Sequence, residues 1–405
     1  MKPAEGCALF GAYRACVGIF DAVILLHSVV GCHFGTLFFH QTRQPEDVRQ
    51  ASTVFYGSEV LYGGSDALVK ALQNADALYR RAKVFIVLSG CVPNMVGDDV
   101  EAAIQAARLS RPVIHIPVPG TAGDMTSGYA AALLALAPYM KPKRVAADRI
   151  NLLGLSADDF LAAGDVRALQ TLFGSSARLR CVAVGERFAD FCRAPDAALN
   201  VVFGSETGLA DYMRAQFGTP YIVAHYPYGV HGSEVFLRQV AAALPGVEAA
   251  STVRTIRRRV RPVLARMSFY LRLLYGMPTA ILGDTVRSEG LRAFLADELG
   301  MDPVVYHAGG RTDRDALYER AAARHVPLLF GNSFDRGWCD EHGAALVRVF
   351  YPVFDEIVFS GRSFLGVEGF YTLTETIINV LQRQTLRRKR LYEGIEFPEP
   401  NESGG

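Results

Sequence analysis

Three of the seven cysteines directly follow a glycine, in the pairs Gly6-Cys7, Gly31-Cys32 and Gly90-Cys91. Thiolates are the usual protein ligands of iron–sulfur clusters, and a neighbouring glycine lets backbone N–H groups approach the sulfur atoms. The spacings of 25 and 59 residues fit no compact CxxC ferredoxin or zinc pattern, and three thiolates do not complete a four-ligand site. On residue types alone, two interpretations stay open: cluster ligands, or small buried apolar residues.

The other four cysteines form no ligand pattern. Cys181, Cys192 and Cys339 are isolated in the sequence, and we do not predict ligation by Cys16. We expect these thiols to pack in the core or to be incidental. Seven cysteines are too few for a disulfide scaffold, and their odd number argues against full pairing, which favours reduced thiols in the cytosol.

The composition excludes several classes of protein. The chain has 405 residues, with 42 Lys+Arg against 41 Asp+Glu, 50% apolar residues and 20% charged residues. A net charge of +1 gives no general attraction to nucleic acid or to anionic membranes. The apolar content excludes a largely disordered chain, and the length predicts two or three domains.

One uncharged stretch raises the question of a membrane span. Residues 22–42 contain no Asp, Glu, Lys or Arg, which is long enough to cross a bilayer. The stretch also contains three histidines, however, and it divides into two short apolar runs around Gly31-Cys32. No secretory signal is apparent. We therefore predict a cytoplasmic protein without a membrane span.

Short apolar strands that alternate with helical stretches are the elements that must position the cysteines. Each predicted strand ends at a glycine or a small polar residue, and the pattern predicts an α/β fold with parallel sheets covered on both faces. In such folds ligands bind beyond the carboxyl ends of the strands, which is where Cys91 lies. The predicted strands are 84–88, 113–116, 181–184, 200–203, 280–282 and 326–330.

Composition divides the chain into three α/β domains and a tail. The domains are residues 1–145, which carry the three glycine–cysteine pairs, 146–275 and 276–347. The tail, 348–405, contains a long helical pattern that we expect to return and pack on the first domain.

Four segments around the glycine–cysteine pairs resemble the cluster-binding segments of nitrogenase component 1, and its β-type subunit more than its α-type subunit. They are Gly-Cys-Ala-Leu-Phe-Gly-Ala at 6–12, His-Ser-Val-Val-Gly-Cys at 27–32, Tyr-Gly-Gly at 62–64 and the segment 89–99. The resemblance continues at 282–284, at 331–333 and through 348–369, so it covers nearly the whole chain. It implies three Rossmann-like parallel-sheet domains.

The resemblance also implies a cofactor and partners. Cys7, Cys32 and Cys91 would bind one half of an [8Fe-7S] P-cluster, and three cysteines of an α-type partner would bind the other half, in an α2β2 assembly. The cluster would relay electrons from an ATP-hydrolysing iron protein to an active-site cluster in the α-type subunit. A serine oxygen of the nitrogenase β subunit binds the oxidised cluster, and the loop 119–128 places Asp124 near that position. Asp124 is therefore predicted as a redox-dependent oxygen ligand, with helix capping as the alternative.

Two further residues near the predicted cluster have open roles. His33 follows Cys32 and is a candidate hydrogen-bond donor to a cluster sulfur, with a packed histidine as the alternative. Tyr62 is a candidate for the cluster region or for the docking face of the reductase, with a core aromatic as the alternative. No GxxxxGK[ST] loop is present, so ATP hydrolysis must come from another protein.

The chain also departs from the nitrogenase pattern. Only six residues precede Cys7, and we find no counterpart of the Cys and His that hold the catalytic cofactor in the α subunit. We therefore expect substrate reduction in the partner, and we predict a nitrogenase-like methylthio-alkane reductase, which cleaves C–S bonds in small thioethers. Open alternatives are a conventional nitrogenase β subunit, the β-like half of a cofactor-assembly scaffold with a [4Fe-4S] cluster, and a cluster-free α/β interaction subunit.

Overall fold

The computed structural model describes residues 6–41, 49–309, 313–359 and 361–392, and these form three parallel four-stranded sheets covered by helices. One sheet lies in each of the three predicted α/β domains. Every sheet has the same order, in which its second, first, third and fourth strands lie side by side. The predicted α/β fold class, with three Rossmann-like domains, is confirmed.

The first domain has the sheet order β2-β1-β3-β4, and its two central strands are buried along their whole length. That burial explains why both strands are continuous apolar runs. The strands are β1 (Ala22–His27), β2 (Gln50–Ser52), β3 (Val84–Ser89) and β4 (Val113–Pro117). The helices are α1 (Ala8–Val17), α2 (Val30–Gln41), α3 (Gly57–Tyr62), α4 (Ser65–Leu78), α5 (Cys91–Val96), α6 (Val100–Ala107) and α7 (Met125–Leu136).

The second domain repeats this arrangement with the order β6-β5-β7-β8. Its strands are β5 (Ala146–Leu153), β6 (Arg178–Cys181), β7 (Ala197–Phe203) and β8 (Tyr221–Ala224). Its helices are α8 (Ala162–Phe173), α9 (Phe188–Phe191), α10 (Gly208–Phe217), α11 (Gly229–Ala243) and α12 (Ala249–Leu274). One apolar core joins the first two domains, because residues of α1 and α7 pack with residues of both sheets.

The third domain has the order β10-β9-β11-β12 and is followed by a long helix. Its strands are β9 (Pro278–Gly283), β10 (Asp302–Ala308), β11 (Leu328–Gly331) and β12 (Ala345–Arg348). Its helices are α13 (Ser288–Ala293), which continues as a π-helical turn at Phe294–Glu298, α14 (Arg314–Ala323) and α15 (Arg336–His342); α16 (Gly366–Tyr392) ends the described chain.

Two sequence predictions differ from the structure. The strand predicted at 181–184 lies earlier, because β6 ends at Cys181 and the chain then turns through Ala183, whose φ of 57° does not continue a strand. The C-terminal helix α16 packs on α8, α11 and α12, so it covers the second domain rather than the first. Its apolar residues Phe370, Leu373 and Ile377 belong to the core shared by the second and third domains.

The uncharged stretch 22–42 is divided between β1 and α2. Among the described residues, no helix is both long enough and apolar enough to cross a membrane.

Helices α1 and α7 cross so closely that two glycines are required at the contact. A Cβ added to Gly11 would lie 1.9 Å from the carbonyl oxygen of Met125, and a Cβ added to Gly128 would lie 1.9 Å from the carbonyl oxygen of Ala8. A side chain at either position would therefore push the two helices apart.

We expect Gly11→Ala to lower the free energy of unfolding by about 1–3 kcal/mol, because overpacking forces the backbone to shift. Gly337→Ala is the matched control, since Gly337 is an exposed glycine within α15 with no heavy atom within 4 Å of an added Cβ. This control should raise stability by about 0.5–1 kcal/mol through helix propensity. Urea denaturation of both variants measures the difference, and equal stabilities would contradict the close crossing.

Candidate functional site

Each of the three candidate cysteines lies at the beginning of a helix in the first domain. Cys7 is the N-cap of α1, Cys32 lies in the first turn of α2, and Cys91 is the first residue of α5. Backbone N–H groups are free at a helix N-terminus and can approach the sulfur of a ligand cysteine. All three positions therefore suit cysteines that bind an iron–sulfur cluster.

The sheet explains why Cys32 and Cys91 are neighbours. β1 leads into α2 and β3 leads into α5, and these two parallel strands pair in register from Ala22 opposite Val84 to His27 opposite Ser89. The two cysteines consequently lie beyond the carboxyl ends of adjacent strands, the usual place for ligands in such a sheet.

Gly120, in the loop after β4, brings Cys7 and Cys91 together. Its backbone N–H donates a hydrogen bond to Cys91 Sγ at 3.0 Å. A Cβ on Gly120 would lie 3.1 Å from Cys7 Sγ and 3.3 Å from Cys91 Sγ, so a side chain there would occupy the space between the two thiols. The sequence analysis did not identify Gly120. The only indication in the sequence was its position just beyond the end of a predicted strand.

The environment of Cys32 links it to the other two thiols. Burial raises the pKa of the Cys32 thiol, the hydroxyl of Ser28 lowers it, and the neighbouring Cys7 and Cys91 raise it. The in-register pairing of β1 with β3 places Cys32 on the same side as Cys91, in agreement with this influence. The structure thus brings together all three cysteines that the sequence analysis singled out.

The donor set fits a cluster of several metal ions better than a single ion. In the described part of the chain, no three His, Cys, Asp or Glu side chains lie close enough to hold one metal ion. An iron–sulfur cluster distributes its thiolate ligands over several irons, so its ligands need not meet at one point. Half-buried thiols at helix starts, with a backbone N–H directed at one sulfur, satisfy that requirement.

Asp124 lies beside the cysteines and is engaged as a helix cap. Its backbone forms an antiparallel bridge with Cys7, and its Oδ1 accepts hydrogen bonds from the backbone N–H of Ser127 at 2.9 Å and from the Ser127 hydroxyl at 3.0 Å. The helix therefore begins at Met125, four residues before the apolar run at 129–140. This geometry corresponds to the capping alternative, and ligation in another redox state stays a prediction.

His33 and Tyr62 have different surroundings from each other. The side-chain amide of Gln50 donates to His33 Nδ1 at 2.9 Å, and burial lowers the pKa of His33, as for a packed neutral histidine. Tyr62 is 87% exposed, so it is not a core aromatic.

A buried His27–Asp98 pair holds the segments that carry Cys32 and Cys91. His27 Nε2 lies 3.1 Å from Asp98 Oδ2, and burial lowers the pKa of His27 to about 4, so the neutral ring donates this bond. Asp98 also accepts from the backbone N–H of Gly64 at 2.9 Å. The pair joins the end of β1 to the loop after α5. The start of α6 is capped by the neighbouring Asp99.

The other four cysteines have core environments, as the sequence analysis predicts. Cys16, Cys181 and Cys339 are buried and Cys192 is half-buried. Burial raises the pKa of each of these thiols, which favours the protonated form.

Exposed apolar side chains lie on α2 and α5, the helices that carry Cys32 and Cys91, and on α3. On α2, Val30, Phe34 and Phe38 succeed one another at intervals of four residues and point outward, and the rings of Phe34 and Phe38 stack. Further exposed members lie on α3 and α5, and we call the whole set the apolar face: Val30, Phe34, Phe38, Val60, Leu61, Tyr62, Met95 and Val96. Exposed apolar surface of this extent marks an interaction site.

Known proteins share this architecture. The chain is similar to the solved structure "Nitrogenase Cp1 at pH 6.5", with a TM-score of 0.79 and 19% sequence identity over 100% of this chain and 96% of that chain. It is 24% identical to the nitrogenase molybdenum-iron protein beta chain of Methanococcus maripaludis, over 94% of each protein.

A second type of relative is a biosynthesis protein. The nitrogenase iron-molybdenum cofactor biosynthesis protein NifE of Clostridium pasteurianum is 31% identical over 60% of this chain, and the match spans 55% of that protein. Residues 7–382 match the family described as nitrogenase component 1 type oxidoreductase. The range begins at Cys7 and extends through all three sheets into α16, and the chain therefore belongs to the nitrogenase component 1 family.

Proposed function

We propose that this chain is the β-type subunit of a nitrogenase-like reductase and holds one half of an [8Fe-7S] P-cluster. The carrying observation is that Cys7 and Cys91 lie on either side of Gly120 and that Cys32 begins the helix after the neighbouring strand, so each thiol lies at a helix start. When bound, the cluster would accept and release single electrons between an ATP-hydrolysing iron protein and an active-site cluster in the partner.

The incomplete ligand set supports a shared cluster. Three thiols at the surface leave some irons of a larger cluster without protein ligands, and the apolar face around them needs a cover. An α-type subunit that contributes its own cysteines would supply both the missing ligands and the cover. The role of this chain is then to fix its three thiolates, direct the Gly120 N–H at Cys91 and exclude water from its side of the cluster.

A scaffold for cofactor assembly is the second candidate, favoured by the identity to biosynthesis proteins. Two relatives named NifE, from Clostridium pasteurianum and Methanosarcina barkeri, are 31% and 29% identical. In that case the same thiols would hold a [4Fe-4S] cluster. A cluster-free interaction subunit, the non-enzyme alternative, would contain no iron at all.

The iron content of the complex tests the cluster. We expect Cys91→Ala to remove about eight irons per αβ pair from the anaerobically purified complex, because one cluster loses a protein ligand. Cys192→Ala is the matched control, since Cys192 is also half-buried but lies outside the site, and it should keep its iron. A loss of about four irons would favour the scaffold. If Cys91→Ala leaves the iron content unchanged, the cysteine does not bind a cluster and only packs in the structure.

The redox-dependent role of Asp124 has its own test. Asn caps helices as well as Asp does but is a much poorer anionic ligand, so Asp124→Asn separates the two roles. We expect it to preserve stability while changing the EPR spectrum of the oxidised cluster. Asp124→Ala should change the spectrum in the same way and also lose about 1 kcal/mol of stability. An oxidised spectrum identical to wild type in Asp124→Asn would leave Asp124 as a cap only.

For the substrate we propose small methylthio-alkanes, on the resemblance of the sequence to nitrogenase-like reductases. Ethyl methyl sulfide would gain two electrons and two protons, which breaks one C–S bond and gives ethane and methanethiol. We expect the complex to release methanethiol when supplied with iron protein, MgATP and a reductant, and the Cys91→Ala complex to release none. Reduction of acetylene and dinitrogen in place of the thioether would identify a conventional nitrogenase β subunit, and an iron-loaded complex without turnover would identify a scaffold.

A further inference from the structure

Ser28 is a buried serine whose hydroxyl has no partner within the described part of the chain. The residue lies between β1 and α2 and is 1% exposed, and Ser28 Oγ forms no hydrogen bond with any described residue. Burying a hydroxyl without a hydrogen bond costs free energy, because its bonds to water are lost and not replaced. Such a group in a folded protein therefore calls for an explanation.

The Ser28 hydroxyl lies between segments that carry the candidate ligands. A Cβ added to Gly90 would collide with Ser28 Oγ and would lie 3.1 Å from Leu9 Cδ1, so the side chains of Ser28 and Leu9 meet over Gly90. Gly90 directly precedes Cys91, and Leu9 follows Cys7 by two residues at the beginning of α1. The unpartnered hydroxyl is thus packed against the backbone that positions two of the three thiols.

Cys32 is the candidate ligand closest to this hydroxyl along the chain. Ser28 precedes it by four residues, and α2 begins between them. The hydroxyl lowers the pKa of the Cys32 thiol, which is the effect of a donor directed at a sulfur that gains negative charge. A thiolate that binds iron carries more negative charge than a thiol and is the better acceptor. The Ser28 hydroxyl is therefore placed to bond to this sulfur in its ligated state.

Helix capping does not account for the hydroxyl. A serine just before a helix commonly accepts a hydrogen bond from a backbone N–H of the first turn. Helix α2 begins at Val30, but Ser28 Oγ accepts no such bond from the described residues. The backbone here is fixed by other contacts, because the Ser28 carbonyl accepts from the N–H of Phe55 and the His27 carbonyl accepts from the N–H of Gly90, each at 3.0 Å. The segment is thus held rigidly without the side chain.

We propose that Ser28 donates an O–H···S hydrogen bond to Cys32 Sγ when that sulfur binds iron, and that this bond raises the reduction potential of the cluster. The inference rests on the cluster proposed above and adds to it a residue that is not a ligand. Reduction adds negative charge to the cluster and its sulfurs, and a donated hydrogen bond stabilises that charge. Removal of the hydroxyl should therefore favour the oxidised cluster.

Substitution of Ser28 by alanine tests the bond in the anaerobically purified complex. We expect Ser28→Ala to keep its iron and to shift the midpoint potential, measured by EPR-monitored redox titration, to a more negative value. Reduction should become about tenfold less favourable, which corresponds to about 59 mV for a one-electron couple.

Ser288→Ala is the matched control. Ser288 is also a buried serine whose hydroxyl has no partner among the described residues, but it lies in α13 of the third domain. Both variants therefore remove the same kind of group, and only one of them lies beside the candidate ligands. Ser288→Ala should keep the wild-type midpoint potential.

A second readout detects the hydroxyl hydrogen itself. ENDOR spectra of the oxidised complex, recorded before and after exchange into D2O, should contain a coupled exchangeable hydrogen that Ser28→Ala lacks and Ser288→Ala retains. Full iron in Ser28→Ala, together with the wild-type potential and the wild-type couplings, would overturn the role of Ser28 without affecting the proposed cluster. Absence of iron from the wild-type complex would overturn both.

The stability of the full chain without iron distinguishes a bond to the cluster from a packing role. Because the hydroxyl has no partner among the described residues, Ser28→Ala should unfold at the same urea concentration as wild type or at a higher one. If Ser28→Ala loses iron while this urea midpoint is kept, the hydroxyl acts on the cluster and the proposal is supported. Loss of iron together with a lowered urea midpoint would show that Ser28 only packs, and would overturn the proposal.

Discussion

The close crossing of α1 and α7 is the contact on which the candidate cluster site depends. Gly11 and Gly128 allow each helix to lie directly against the backbone of the other. The same crossing pairs the backbone of Cys7 with that of Asp124, which fixes the first thiol at the beginning of α1. Two turns further along α1, Arg14 reaches the second domain and forms ion pairs with Asp158 and Asp159. One backbone contact therefore sets the position of a candidate ligand and of the charges that join the two domains. A shift of α1 would move both, which is why side chains are excluded at the crossing.

Electrostatics explain how three thiols share a small volume without a metal. Three thiolates would repel one another, and burial raises the pKa of Cys32, which favours the protonated thiol at that position. The Gly120 N–H, by contrast, donates a hydrogen bond to Cys91 Sγ and would stabilise negative charge on that sulfur. Cysteines bind metal as thiolates, so binding of a cluster would release their protons and its cations would offset the repulsion.

The parts of the fold that the sequence predicts are those marked by a pattern of neighbouring residues. Strands β3, β4, β7, β9 and β11 are mostly apolar and are followed within a few residues by glycine or a small polar residue, and their type and order agree with prediction. The three glycine–cysteine pairs converge as the resemblance implies.

The features that the sequence did not predict depend on contacts between residues far apart in the chain. His27 and Asp98 are separated by 71 positions, and neither carries a local sign of the other. Similarly, the amphipathic pattern of α16 predicts that one face of the helix is buried, but it does not indicate which domain the helix packs against. Gly120 matters only because two sulfurs lie beside it.

The three sheets share one strand order but differ in the segments that follow their central strands. In the first domain β1 and β3 end in His27 and Ser89 and lead into helices that begin near cysteines. In the second domain β5 and β7 lead instead into Gly154 and Gly204, whose φ values of 96° and 89° turn the chain toward the other domains. Gly204 approaches Val286 so closely that a Cβ there would lie 3.1 Å from its side chain. The first carboxyl edge also meets the third domain, because the cavity beside Cys7 and Gly120 is lined by Leu282 and Asp284 at the end of β9. The exposed apolar side chains lie on α2, α3 and α5, which is the part of the first domain available to a partner. A single topology in this way serves the proposed cluster ligands in one domain and buried contacts between domains in the other two.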